Sequence, residues 1–175
     1  MSKKTFYLQV KDLVETGVKE IQHFSLWNNQ VDNEANEKQE FPINYPACFF
    51  EFKQLDWSDF NGVCQQSDSQ FSIRVVVEDY KHNPYDYLDL VDKVFSSLQG
   101  KETCVSKAIK RISEFQDTDH GNLIIWEITF HAVIYDSSAQ DAKNTTTLQL
   151  DPSYLNLSTT LDIDNDVIRS GDGEV

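Results

Sequence analysis

The sequence predicts an α+β fold: a small mixed or antiparallel β-sheet with two main helices packed on one face, followed by an extended acidic C-terminal tail. Three observations predict it. Two stretches, from Thr5 to Phe24 and from Leu88 to Leu98, repeat apolar residues every three or four positions, the period of a helix with one buried side. Three others, Ala47 to Lys53, Phe71 to Glu78 and Leu123 to Tyr135, are rich in aromatic and β-branched residues and bounded by turn formers. After Asp136 the apolar patterning stops. At 175 residues and 20.2 kDa the chain fits one domain, placed at 1–136, with 137–175 as an extended C-terminal arm.

In the first helix the apolar residues are Phe6, Val10, Leu13, Val14, Val18, Ile21 and Phe24, with charges between them. Gly17 interrupts the run at a penalty of about 1 kcal/mol relative to Ala, so the helix is expected one to two turns shorter than the pattern. Residues 25–45, rich in Asn, Asp and Glu, form a loop with a short extended piece at Leu26-Trp27. Pro42 and Pro46 lead into the strand at 47–53. The polar stretch 56–70 reads as a connecting arm, and Phe71-Ser-Ile-Arg-Val-Val-Val-Glu78 as the next strand. Asn83-Pro84 supplies an N-cap and a proline at the first helical position. The second helix follows with Leu88, Val91, Val94, Phe95 and Leu98, and Gly100 closes it. Val105 to Phe115 is expected as a strand, Asp117-Thr-Asp-His-Gly-Asn122 as a turn, and Leu123 to Tyr135 as a central strand pairing back through that turn. Trp126, Ile128, Phe130, Ala132 and Ile134 share one face of it.

Composition excludes several classes of function. With 15 basic and 29 acidic residues the net charge is −14, which argues against a phosphate-tracking surface and an anionic membrane partner. No apolar run approaches the roughly 20 residues of a membrane span. No signal peptide is evident, so synthesis in a reducing cytoplasm is expected, and the sequons at Asn144 and Asn156 are read as coincidental. Cys48, Cys64 and Cys104 are odd in number and widely spaced, suggesting neither a zinc site nor a disulfide framework.

Asp162-Ile-Asp164-Asn-Asp166 has the alternating carboxylates of a calcium loop, but Val167 stands where the sharp turn needs glycine and Gly173 where the bidentate glutamate belongs. It is read as solvated acidic tail. His23, His82, His120 and His131 are scattered, and His131 lies on the parity opposite Trp126, facing solvent or a neighbouring subunit. Phe49, Phe50, Phe52, Trp57 and Phe60 are interleaved with Glu51, Asp56 and Asp59, which favours core and interface packing over base stacking. No nucleophile elbow and no phosphate-cradling glycine loop is present. No catalytic, cofactor-binding or metal-binding residue is assigned.

The order of elements carries a resemblance. A long N-terminal helix precedes Pro46-Ala-Cys-Phe-Phe-Glu-Phe52, then an arm with Trp57 and Gly62-Val-Cys-Gln-Gln66, then Phe71-Ser-Ile-Arg-Val-Val-Val-Glu78. A helix of the form Leu88-x-x-Val-x-x-Val-Phe-x-x-Leu98 and a hairpin ending in Trp126-Glu-Ile-Thr-Phe-His-Ala-Val-Ile-Tyr135 complete it. Over 1–136 this resembles the tail terminator and tail-completion (neck) ring proteins of tailed bacteriophages, the phage lambda tail terminator among them. The resemblance implies a non-enzymatic structural protein of the virion, made in the host cytoplasm. It implies a homo-oligomeric ring, commonly a hexamer with a dodecamer as the other stoichiometry, in contact with neighbouring neck or tail proteins. DNA passes through such a ring without specific binding. The acidic 28–41 loop and the 137–175 tail depart from the compact family pattern. The alternative reading is a cytoplasmic α+β ligand-binding or adaptor module, which needs a deep apolar pocket. Enzyme chemistry has no local motif behind it.

Overall fold

A computed structural model describes residues 2–31, 43–78, 85–117 and 122–139. The chain divides into two units, Met1–Asp141 and Ala142–Val175. The second lies outside the described residues, as do most of the acidic loop, His82, His120 and the Asp162–Asp166 motif.

The first unit is an α+β fold, with helices α1 (Ser2–Gly17) and α2 (Asp86–Leu98) and strands β1 (His23–Leu26), β2 (Ala47–Asp59), β3 (Gln65–Glu78), β4 (Lys110–Asp117) and β5 (Leu123–Asp136). The strands form one five-stranded sheet in the order β1-β2-β3-β5-β4. β1 runs parallel to β2 and every other neighbour is antiparallel, so the sheet is mixed.

The helices pack on one face. Phe6, Val10 and Val14 of α1 and Leu90, Val91, Val94 and Leu98 of α2 share a single core with Phe50, Phe71, Ile73, Ile128 and Phe130 of the sheet. Phe71 stacks between Phe50 and Phe130 at centroid distances of 5.2 and 5.4 Å, and Phe6 meets it edge-on at 5.2 Å. Helix α1 stops at Gly17, about two turns before the apolar pattern ends. Gly17 lies close against α2: a Cβ there would sit 2.8 Å from the Cβ of Ser97. Phe24 keeps its place in the core but does so from β1, where it is 4% exposed.

The expected connecting arm at 56–70 is instead the far half of a continuous β2–β3 hairpin, paired out to Asp59–Gln65. Hydropathy missed it because the inward positions of β3 are Ser67 and Ser69, both fully buried. The Ser69 hydroxyl donates to the Ser67 Oγ at 2.9 Å, so these small side chains fill inward sites without an apolar signature. Asp59 and Asn61 side chains accept the N–H groups of Gly62 and Cys64, and Gly62 takes φ 78° in the tip.

Helix α2 has Tyr85 as its N-cap, without a side-chain cap bond, and the expected cap at Asn83-Pro84 lies outside the described residues. Asp86 and Asp89 face the positive end of the helix dipole there. Gly100, at φ 74°, follows the C-cap Gln99 as expected. The strand expected from Val105 begins at Lys110 instead. Val105 and Lys107 do touch β5, through Tyr135 N–H to Val105 O and Lys107 N–H to Val133 O. Ile109 then turns inward, fully buried, and bonds back to Gly100 and Lys101. β5 lies between β3 and β4, with Ile128, Phe130, Ala132 and Ile134 buried towards the helices.

Candidate assembly surface

Side chains alternate across a strand, so β3 and β5 send every second residue away from the helices. Most of that open face carries polar residues, and at its centre sit two acids and two bases. Arg74 stands opposite Glu127 across β3 and β5. Its guanidinium contacts Glu127 at 2.7 Å and also pairs with Glu51. The β2 ladder shifts register between Phe52 and Gln54, and Lys53 there reaches Glu51 at 2.8 Å and Glu127 at 3.1 Å. Each base meets both acids, and the four formal charges cancel.

This network is largely sealed, and it lies beside a second apolar cluster on the same face, formed by Val31, Ala47, Phe49, Val76 and Ile125. The side chains of Glu127 and Arg74 are 5% and 12% exposed. Trp27 lies over the Arg74 guanidinium at 4.3 Å from its ring centroid, and packs edge-on against Phe49. Burial by itself would raise the Glu51 carboxyl, but hydrogen bonds and charge from Lys53 and Arg74 outweigh it and hold the group below the usual range. The sequence signal for the network is a charge inside an apolar strand, in Ile73-Arg74-Val75 and Trp126-Glu127-Ile128. A single strand does not say that the two meet.

The rim of the face is apolar in places. β4 is an edge strand exposed along nearly its whole length. Ile112 and Phe115 on it are each 51% exposed, and Phe115 stands opposite Glu127. Arg111 pairs with Glu114 at 2.9 Å and lies over the Phe95 ring of α2. At the hairpin tip Phe60 is 56% exposed and rests against Tyr135. The aromatic cluster expected as core and interface therefore divides. Phe49 and Phe50 are fully buried, on opposite faces, Phe52 and Trp57 are half-buried against the core, and Phe60 is exposed.

His131 lies on the open face, as its parity requires, with Nε2 2.7 Å from an Asp68 carboxylate oxygen. His23 contacts Ser25 at 3.0 Å and the Phe49 ring. Cys48 is buried and its thiol is pushed up by desolvation, whereas Cys64 is half-buried and Cys104 exposed. Among the described residues no three His, Cys, Asp or Glu side chains converge, and no helix is long and apolar enough to cross a membrane. A pocket of about 280 Å³ lies beside α2, with Val77 and Leu90 in its wall and Glu20, Asp86, Asp89 and Lys93 also lining it.

No family model matches the chain, and no curated protein matches it. Among solved structures it is similar to a chain of the virion of a native gene transfer agent particle. That likeness has a TM-score of 0.44 and 11% identity, and it covers 73% of this chain and 84% of the other.

Proposed function

We propose that the chain is a structural, non-enzymatic virion protein that forms a ring at the head–tail neck or at the end of the tail tube, as a tail terminator or tail-completion protein. The observation that carries the reading is the exposed edge strand β4, on which Ile112 and Phe115 are half exposed. Exposed edge strands are pairing surfaces that monomeric proteins blunt or cover. The order of helices and strands also follows the resemblance, with the polar arm replaced by a longer hairpin. On this reading the domain 1–136 makes the subunit contacts around the DNA channel and the arm 137–175 docks on an adjacent subunit. A net charge of −14 suits a passage that must not hold DNA, since like charges suppress adhesion to phosphates.

Native mass spectrometry over a concentration series tests this, with and without residues 137–175. The expected result is a discrete hexamer or dodecamer that is lost on truncation. A monomer at every concentration, alone and with tail-tube protein, overturns it. A co-purifying small ligand transfers the case to a ligand-binding or adaptor module.

A further inference from the structure

Each end of the sheet leaves a strand edge open. β1 pairs with β2 only from Ala47 to Phe50, so nine of the 13 residues of β2, 51–59, have no strand on their outer side among the described residues. The chain turns away directly after β1: the Phe50 carbonyl still accepts the Trp27 N–H, and Asn29 then takes φ 62°. Lys53, Gln54, Asp56, Ser58 and Asp59 are exposed along this edge. At the opposite end β4, eight residues long, has a strand on one side only.

The two edges run in opposite directions, because β2–β3, β3–β5 and β5–β4 are all antiparallel and three reversals oppose β4 to β2. We propose that the β4 edge of one copy pairs, antiparallel, with the 51–59 edge of the next, so that the sheet continues from subunit to subunit, an inference that rests on the ring reading above. A copy added in the same orientation keeps that opposition, so the two edges meet as an ordinary antiparallel ladder. The contact joins two different patches, the head-to-tail type that closes rings. β4 against β4 would instead make a two-fold dimer and leave 51–59 open in both copies.

The side chains fit this direction. β4 begins with Lys110 and Arg111 and ends with Asp117, while the other edge ends with Asp56 and Asp59. Antiparallel pairing brings the two bases to those acids, and parallel pairing would bring Asp117 to them. Apolar residues stand in the middle of both edges, half-buried Leu55 and Trp57 on one and half-exposed Ile112 and Phe115 on the other.

The test is disulfide trapping in the full chain, with Cys64→Ser and Cys104→Ser removing the thiols that are not buried. Residues opposite one another on one face of an antiparallel pair lie about 4.5–5.5 Å apart, within disulfide reach. Protein carrying Ser113→Cys is mixed before assembly with protein carrying Gln54→Cys, Asp56→Cys or Ser58→Cys, oxidised, and the linked peptides identified. Links from position 113 to one of these three are expected to exceed 113-to-113 links roughly tenfold or more. Lys110→Cys should link nearer to Ser58, and Phe115→Cys nearer to Gln54. Predominant 113-to-113 links, or the reverse order of the two flanking positions, overturn the proposal. A chain that assembles without any link to 51–59 overturns the edge pairing and leaves the ring reading standing. A chain that never assembles, alone or with tail-tube protein, overturns both.

Discussion

The two faces of the sheet are cut from the same strands and sealed by different physics. Towards the helices, Phe6, Phe50, Phe71 and Phe130 interlock with α1 and α2, and what matters is shape and apolar area. On the other side Arg74 and Glu127 are nearly as buried, yet what surrounds them is charge, in Lys53, Glu51 and the face of Trp27. An apolar face tolerates a lost contact in proportion to the volume removed. A sealed ion network does not, because removing one member strands another. The network also leaves the rim of its face unclosed, and there the exposed Phe115 sits.

Deleting the centre of the helix-side stack gives the largest effect. Phe71→Ala should cost about 3–5 kcal/mol in urea unfolding, and a loss below about 1 kcal/mol would show that the stack does not hold the faces apart. Next comes Arg74→Met, expected to cost roughly 2–4 kcal/mol because Glu127 stays buried with Lys53 alone beside it. Adding Glu127→Leu should recover more than half of that loss; if it does not, packing by the Arg74 stem and not charge is what seals the face.

The fit between the helices is tested by Gly17→Ala. The new Cβ meets Ser97 at 2.8 Å, and the strain should outweigh the roughly 1 kcal/mol gained in helix propensity, for a net loss of about 1 kcal/mol. In a Ser97→Gly background the same change should turn neutral or stabilising, as read from thermal midpoints.

The smallest effect is the pH response of the open face. Burial raises the Glu51 carboxyl, and Lys53 and Arg74 more than reverse this, so its folded value lies below the unfolded one. Its contribution is thus complete above the ordinary glutamate range and is lost as pH falls through the lowered folded value. Urea midpoints measured from pH 6 down to pH 3 should fall less steeply for Glu51→Gln than for the native chain. Equal slopes would remove Glu51 from the acid response.

Much of this molecule is legible one segment at a time. The second helix, the closing Gly100 and the long β5 strand follow from period, cap and β-branched content, because each is a local property of its own residues. Where α1 would stop was legible only as a range, and the need for glycine at 17 depends on Ser97, eighty residues away in the chain. The β2–β3 extension was hidden because buried serines do the work expected of apolar residues. Of the assembly surface, the parity of His131 was readable, but the ion network was not.

The sequence by itself determined the fold class, the helix faces and the excess of acid, all of which depend on composition and short-range spacing. Only the tertiary structure decided that Glu51, Lys53, Arg74 and Glu127 share one site. Strand order and register bring those residues together across more than fifty positions of chain, and no local period encodes which strand will lie beside which.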